Sequence, residues 1–308
     1  MMNVFCKSLL ASALATVTLS SAYAADPITV YGKLNVTAQS NDVAGESETT
    51  IQSNASRLGV KGAFDLGNDL EAFYKIEYEV DTSDDAKENF KARSQYVGLK
   101  GNFGAASVGR QDTVLKLSQG KVDQFGDLAG DLKSLFKGDN RLEQTFTYVT
   151  PSMSGVKLGV TYAAEANAKQ SGDAGYSIAA MYGDKKLKKT SIYAAVAMDS
   201  EVAGYDIVRA TVQGKVAGVK LGGMYQTQEK VSGGDSINGF LVSAAYKIDA
   251  VVLKGQFQDM EDKGDSWSVG ADYKLGKPTK LFAFYTSRSE EGAQDDDKFV
   301  GVGIEHKF

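Results

Sequence analysis

The sequence has 308 residues, with 34 Lys and Arg against 39 Asp and Glu, one cysteine, one histidine and three prolines. Its apolar content of 43% is too low for a helical membrane protein, whose spans need about 18 consecutive apolar residues, and the many Tyr and Phe residues exclude a disordered chain. The net charge of -5 is of the wrong sign for a typical nucleic-acid-binding protein, and one cysteine excludes a disulfide scaffold.

The first 24 residues are expected to be a secretory signal. Lys7 supplies the positive start, residues 9–19 form a short apolar core, and residues 22–24 (Ala-Tyr-Ala) form a cleavage site of the small-x-small type. Cys6 lies inside this segment, with no lipoprotein cleavage pattern beside it. The expected mature protein is therefore one domain, residues 25–308, exported and without cysteine.

Apolar and polar residues alternate along segments of about ten residues from Ile28 onward. Leu70, Tyr74 and Ile76, for example, alternate with Glu71 and Lys75. A period of two places the apolar residues on one face of a β-strand, whereas a helix would need spacings of three and four. Sixteen such segments are predicted, centred near Leu34, Val60, Tyr74, Val97, Ser107, Phe146, Val160, Ile178, Ala194, Ala210, Gly223, Val242, Leu253, Val269, Ala283 and Val302.

The connections between these segments alternate between short turns and longer acidic loops. This alternation predicts an up-and-down topology with both termini on the short-turn side. The predicted longer loops include residues 41–50, 199–204 and 260–265, and the longest is 111–140. A soluble sandwich or lipocalin-like barrel also alternates, with its apolar face inward. Strands of ten residues match tilted membrane strands, however, and sixteen strands enclose a lumen too wide for side chains to fill. The predicted fold class is all-β, a transmembrane antiparallel 16-stranded β-barrel.

The chain ends on a strand with Val302, Ile304 and Phe308 on one face. This pattern resembles the signal that the outer-membrane barrel-assembly machinery recognises, although His306 stands where the pattern usually has an aromatic residue. The alternative is an edge strand that happens to end in phenylalanine. With the signal segment, the pattern indicates the Gram-negative outer membrane.

Five short motifs, in order along the chain, resemble strand motifs of the trimeric, sixteen-stranded general-diffusion porins. They are Val-Tyr-Gly-Lys at 30–33, Ser-Arg-Leu-Gly-Val-Lys-Gly at 56–62, Tyr-Val-Gly-Leu-Lys at 96–100, Gly-Arg-Gln at 109–111 and Asp-Asn-Arg at 139–141. The resemblance covers essentially the whole mature chain. It implies a homotrimer, a third long loop (111–140) folded into the barrel, and small hydrophilic solutes and ions as cargo.

Other partners follow from the expected location. They are outer-membrane lipid and, during biogenesis, the barrel-assembly machinery and periplasmic chaperones. Lipopolysaccharide is a further candidate, through divalent cations held by acidic loops, for which ordinary solvation of the charges is the alternative; these loops contain Asp81, Asp84, Asp85, Glu88, Asp295, Asp296 and Asp297. No nucleic acid, cofactor or metal is expected, and His306 alone provides no material for a catalytic triad. An enzyme is therefore not predicted.

The candidate site residues are mostly basic. Arg57 has the parity of Lys61, opposite Leu58 and Val60, so it points into the lumen; facing lipid at mid-membrane would cost about 2–4 kcal/mol. By resemblance, Lys33, Arg57, Arg93 and Arg141 match the basic wall of a porin constriction, and Arg110 lies at the base of the long loop. The alternative is that these are scattered lumen charges that only keep the channel wet.

The acidic partners are expected on the long loop. Porins carry Pro-Glu-Phe-Gly-Gly there, whereas residues 123–127 read Asp-Gln-Phe-Gly-Asp, with Gln124 in place of the glutamate. The acidic role is assigned to Asp123 or Asp127, with Asp131 as a third candidate; a solvated charge or helix cap is the alternative for each. Such charges, facing permanently charged guanidinium groups across a narrow gap, would set ion preference.

Two other functions stay open from the sequence. A substrate-selective channel would need an aromatic track or a binding pocket in the lumen, and the aromatic residues of lumen parity, Phe73, Phe282 and Phe284, are too few to indicate such a track. A structural or adhesion barrel would use its loops to bind a partner and would show no general conductance.

Overall fold

The computed structural model describes residues 28–83, 89–170 and 172–308. The expected signal segment and the acidic residues Asp84, Asp85 and Glu88 lie outside the described residues. The strand segments are β1 Thr29–Val43, β2 Glu46–Ser53, β3 Arg57–Gly67, β4 Leu70–Val80, β5 Phe90–Gly101, β6 Gly104–Asp112, β7 Arg141–Val149, β8 Val156–Ala163, β9 Gly175–Gly183, β10 Ile192–Val202, β11 Tyr205–Val216, β12 Val219–Lys230, β13 Ile237–Ile248, β14 Val251–Met260, β15 Gly264–Lys274, β16 Thr279–Glu290 and β17 Asp297–Lys307.

These segments form one closed antiparallel barrel. Each segment except β2 pairs with the next, and β17 pairs with β1 from Lys33–Lys307 to Asp42–Lys298, which closes the sheet. Because β2 and β3 both pair with β1, they are two parts of one strand interrupted at residues 54–56. The described residues therefore form sixteen barrel strands. Each predicted centre lies in its own strand, so the prediction is confirmed.

The two faces of the barrel differ as the alternation predicts. Outward side chains are apolar and exposed, such as Val302 at 61% and Tyr273 at 50% exposure. Inward side chains are polar and enclosed by the wall and the long loop, such as Thr37 and Gln226, both fully buried. Within the described ranges, no helix is long and apolar enough to cross a membrane.

Several loops predicted to be long are short turns. The segment 41–50 is a β-hairpin in which β1 and β2 meet at Ala44 and Gly45, whose φ angles of 52° and 80° fit a tight two-residue turn. Likewise, β10 and β11 are joined by residues 203–204, and β14 and β15 by residues 261–263. The prediction was wrong because polar residues were assigned to loops, whereas strand ends outside the membrane can be polar on both faces.

Two bulges change the expected side-chain parity. The β4–β5 register shifts so that Glu77 lies opposite both Arg93 and Ser94, and these two side chains are both buried. Between β6 and β7 a second shift leaves Leu142 and Thr145 both buried, whereas unbroken alternation would place these two residues on opposite faces. A bulge inserts one residue and reverses the faces on one side of it.

The long loop lies between Asp112 at the end of β6 and Arg141 at the start of β7. It contains a short helix, α1 (Val114–Ser118), and a 3-10 turn (Leu132–Ser134). Its apolar side chains pack against inward residues of β9–β17 in three clusters, whose members are Val114 and Leu115 with Ala179, Ala197 and Ile207; Val122, Leu132, Leu135 and Phe136 with Met224, Leu241 and Met260; and Phe125 with Phe282, Phe284 and Phe299. The loop is therefore folded into the barrel and attached to one wall.

The last residue completes the seam. The backbones of Gly32 and Phe308 exchange two hydrogen bonds of 2.9 and 3.2 Å, and the Phe308 ring covers Gly32. Val302, Ile304 and Phe308 all face outward and are exposed. Their role as an assembly signal stays a prediction.

Candidate pore constriction

The tip of the long loop meets the opposite wall at one carboxylate. Oδ2 of Asp127 lies 2.9 Å from Nζ of Lys33 and 2.8 Å from Nη2 of Arg57. Lys33 on β1 and Arg57 on β3 are direct cross-strand partners, so their side chains emerge side by side. Two cations thus share one carboxylate oxygen across the lumen.

The interruption between β2 and β3 orients Arg57. Ala55 adopts a φ of 51°, and its carbonyl accepts a 2.9 Å hydrogen bond from Nε of Arg57. Asn54 and Ser56 secure the break to β1: the Asn54 amide donates to Oγ1 of Thr37 at 3.0 Å, and the Ser56 hydroxyl accepts from the backbone of β1 at 2.9 Å. The guanidinium is therefore fixed at both ends, by its own backbone and by Asp127.

Asp127 is held in place by Asp131. Its backbone has a φ of 70°, which Asp tolerates better than most residues, and its N–H donates to Oδ2 of Asp131 at 2.8 Å. Asp131 also accepts from the N–H of Lys133 at 2.9 Å, as the cap of the 3-10 turn. The porin motif that residues 123–127 resemble has glycine where this sequence has Asp127, which agrees with the left-handed backbone of Asp127.

The carboxylate of Asp123 is likewise used within the loop. It accepts hydrogen bonds from the N–H groups of Phe125 at 2.8 Å and Leu132 at 3.3 Å. Of the three predicted acids, the structure thus brings only Asp127 into an ion pair with the basic wall in the described part of the chain. Asp123 and Asp131 take the alternative role, capping backbone N–H groups.

The surroundings shift the three carboxyl groups in different directions. Burial opposes ionisation of Asp127, but the charges of Lys33 and Arg57 outweigh it and hold its pKa below the ordinary value. Burial raises the pKa of Asp123, with the nearby charge of Asp131 adding to the effect. Burial likewise raises the pKa of Asp131, against the opposing charge of Lys133. Of the three aspartates, Asp127 therefore stays ionised down to the lowest pH.

The remaining basic candidates surround a polar cavity of about 400 Å³ that Asp127 also lines. Arg93 binds Glu77 at 2.9 Å and Glu79 at 2.6 Å. Nε of Arg141 lies 2.9 Å from Asp112, and Arg110 pairs with Glu143. The structure thus brings all the arginine candidates except Arg57 to one cavity, with each guanidinium fixed by a carboxylate of the wall.

Sequence reasoning missed the residues that attach the loop to the far wall. Inward glutamines of β11–β14 bond to its backbone: Gln213 Oε1 accepts from Lys121 N at 2.7 Å, Gln228 Oε1 from Lys137 N at 2.9 Å and Gln256 Oε1 from Gln124 N at 2.8 Å. One sequence feature could have indicated these residues: glutamines recur at every second position, in the pairs Gln226 and Gln228, and Gln256 and Gln258.

Arg209 on β11 supplements these glutamines from a fully buried position. It donates to the carbonyl of Lys137 at 2.8 Å, to Gln226 at 2.7 Å and to Gln119 at 3.3 Å. Its contacts reach both the start and the end of the loop. We therefore define Arg209 and these glutamines (213, 226, 228, 256 and 258) as the loop anchor.

A sequence model of the Gram-negative porin family matches residues 11–293. The chain belongs to the Gram-negative porins. This porin is 27% identical to the major outer membrane protein P.IB of Neisseria meningitidis serogroup B, over 98% of its own length and 99% of that protein. Its fold resembles the anion-selective porin from Comamonas acidovorans (TM-score 0.71, 20% identity, 92% and 100% coverage) and the trimer form of OmpT of Vibrio cholerae (TM-score 0.65, 16% identity, 92% and 100% coverage).

Family and fold agree with the closed barrel and its wet interior. The porin is an outer-membrane channel for passive diffusion, as the sequence predicts. Proteins of this family and fold are channels rather than enzymes.

The low pKa of Asp127 gives a pH prediction for the variant Asp127→Asn. A carboxyl group with a depressed pKa keeps its charge below about pH 4, the ordinary value for aspartate, and its ion pairs are lost only as the pH falls further. The difference in reversal potential between wild type and the variant should therefore stay constant from pH 7 to about pH 4. Bilayer recordings in a fixed salt gradient measure it, and a difference that disappears above pH 5 would contradict the assignment.

Proposed function

We propose that solutes pass a constriction beside the contact of Asp127 with Lys33 and Arg57, lined further by Arg93 and Arg141, and that this constriction favours small hydrophilic anions. The observation that carries the proposal is the single Asp127 oxygen shared by Lys33 and Arg57. Lys33 also lies 3.8 Å from Glu305, which itself binds Lys307 at 2.9 Å. Three cations thus face two carboxylates, so a positive charge remains where the loop meets the wall.

The charges of the polar cavity support the same preference. Six cationic side chains and three carboxylates line it: Arg93, Arg110, Lys116, Lys133, Arg141 and Lys169, with Glu79, Asp127 and Asp139. The carboxylates that pair with the arginines from the wall, Glu77, Asp112 and Glu143, do not line the cavity, so a solute meets mainly cationic groups. The negative net charge of the chain does not oppose this, because several acidic residues lie in exposed loops, including Asp295 and Asp296. The anion-selective porin of Comamonas, whose fold is similar, is consistent with the proposal.

The ion preference is tested by the reversal potential of wild type and Asp127→Asn in a potassium chloride gradient. Wild type should favour chloride, and the variant should favour it more. A unit charge about 4 Å from the ion path changes an ion's free energy by about 1 kcal/mol in water, a factor of about five for each ion. Because the change has opposite signs for chloride and potassium, the permeability ratio should change by a factor of about 30. Asp295→Asn, in an exposed loop, is the matched control and should leave the ratio unchanged. A cation-preferring wild type would refute the proposal.

We also propose that the porin is a homotrimer, as OmpT forms a trimer. Outer-membrane lipid, lipopolysaccharide, the barrel-assembly machinery and periplasmic chaperones are proposed as further partners. The trimer should migrate as one species in detergent gels and dissociate to monomers on heating. Light scattering of the purified protein gives the mass, and a monomer would contradict the proposal.

A further inference from the structure

Below Asp127, toward the short-turn end of the barrel, one wall carries aromatic rings at inward positions. They are Tyr31 on β1, Phe73 on β4 and Tyr96 on β5, all half-buried. Porin lumens are water-filled, so an apolar ring such as that of Phe73 is not what solvation favours there. Phe282 and Phe284 differ from these rings, because they are buried beneath the loop.

The strand register orders this wall in rows. Lys33 and Arg57 form the row at Asp127, and Tyr31 follows in the next. Lys61, Lys75 and Tyr96 are cross-strand neighbours in the third row, and Phe73 follows in the fourth. Rows of the same face are about 6.6 Å apart. A solute leaving the constriction therefore meets a ring, then two lysines beside a ring, then a second ring.

Glycines in the wall let the rings lie against it. A Cβ atom at Gly59 would be 2.7 Å from the Tyr31 ring, and one at Gly98 would be 2.6 Å from the Phe73 ring. The Phe73 and Tyr96 rings meet at an interplanar angle of 75°, with their centroids 6.1 Å apart. The rings thus form a packed surface along the wall rather than a plug across the lumen.

The lysines of these rows stand next to the rings. Nζ of Lys61 lies 5.2 Å and Nζ of Lys75 lies 5.9 Å from the centroid of Tyr31. Lys75 also binds Glu77 at 3.1 Å, whereas no carboxylate of the described residues lies within 4.0 Å of Lys61. Lys61 is therefore the cation of this surface best placed to bind an anionic solute.

Phe73, Tyr96 and the lysines line one open cavity of about 610 Å³, which is within the size range of small-molecule sites. Three lysines and one carboxylate line it: Lys61, Lys75, Lys100 and Glu71. Since Lys100 binds Glu71 at 2.6 Å and Lys75 binds Glu77 at 3.1 Å, Lys61 is the main cation for a solute and Lys75, beside it in the same row, is the second. The wall thus presents the Phe73 ring one row away from the ammonium groups of Lys61 and Lys75.

We propose that this cavity is a subsite for aromatic carboxylates. The solute ring packs against Phe73 and Tyr96 while its carboxylate meets Lys61 and Lys75 one row above. The inference rests on the proposed anion preference and names the solute class that the same lumen favours.

The test is block of the potassium chloride current by benzoate. We expect benzoate to reduce the current in a saturable manner, whereas acetate, with the same charge, and cyclohexanecarboxylate, with a ring that is not aromatic, block weakly. Phe73→Leu should weaken benzoate block by a factor of about three to ten, the range of an aromatic pair. Lys61→Gln should weaken it independently, and Phe146→Leu, on the exposed outer face of β7, is the control that should change nothing.

A potassium chloride current that benzoate does not block in a saturable manner would overturn the subsite. Equal block by benzoate and cyclohexanecarboxylate would also overturn it, because rings that only fill the space above Gly59 and Gly98 would not distinguish the two acids. Block that survives in both Phe73→Leu and Lys61→Gln would also overturn it. The anion preference is measured separately, from the reversal potential without benzoate, so the two proposals fail independently.

Discussion

The variant Arg57→Ala should raise single-channel conductance and shift the selectivity toward cations. Arg57 occupies the gap between wall and loop and shares the Asp127 oxygen with Lys33. Its removal widens the space beside this contact, makes the constriction more negative by one charge and leaves Asp127 paired with Lys33. The expected change in the permeability ratio is a factor of about 30, opposite in sign to that of Asp127→Asn. Single-channel recordings in a salt gradient measure both quantities.

Two further variants separate charge from size. Arg57→Lys keeps the charge and should retain the selectivity of wild type, while the shorter side chain changes conductance. Arg288→Ala removes a guanidinium that Asp297 binds at 2.6 Å, away from the contacts of Asp127, and should leave the selectivity close to that of wild type. If Arg57→Ala changes neither conductance nor selectivity, Arg57 is not part of the constriction.

The variant Arg209→Ala should release the loop while leaving the barrel intact. Truncation removes the hydrogen bonds to Lys137 and Gln226 in a fully buried site. Hydrogen bonds to charged groups are worth about 1.5–3 kcal/mol each, so the attachment of the loop is expected to weaken by several kcal/mol. The closed sheet depends on strand pairing and should persist. Noisier and larger single-channel currents, with faster proteolysis between residues 113 and 140, are the expected result.

The loss of Arg209 can be distinguished from a general loss of stability. Gln226→Ala removes another member of the loop anchor and should produce the same noise in weaker form. Asp295→Asn, in an exposed loop, should show wild-type noise and proteolysis. Quiet, wild-type currents from folded Arg209→Ala protein would show that Arg209 does not position the loop.

The barrel could be predicted because the environment of each strand determines its sequence. The outward residues must be apolar to contact lipid, which produces the row of Phe240, Val242, Tyr246 and Ile248 on β13, all exposed in the structure. The count of sixteen strands follows from this repeated pattern. Bulges could not be predicted, since the extra residue at Arg93 and Ser94 depends on the partner strand and leaves only an irregular alternation.

The basic side of the site was accessible from parity, whereas the acidic side was not. Lys33 and Arg57 lie on regular strands, where the alternation gives their direction. Asp123, Asp127 and Asp131 lie in a loop, where tertiary contacts alone determine which carboxylate faces the basic wall and which ones bind N–H groups of the loop itself. The glutamines of the loop anchor were missed because a neutral polar side chain facing inward is also what a wet lumen requires.

The most direct test of the constriction places one thiol at its centre. Cys6 is the only cysteine of the chain, so Asp127→Cys in a Cys6→Ser background carries a single thiol, to be treated with a sulfonatoethyl methanethiosulfonate reagent during bilayer recording. If Asp127 borders the narrowest path, each modification should reduce the current by a discrete step, three steps for a trimer. Asp295→Cys, in an exposed loop, should react without such steps. Complete labelling at position 127 with unchanged current would contradict the constriction.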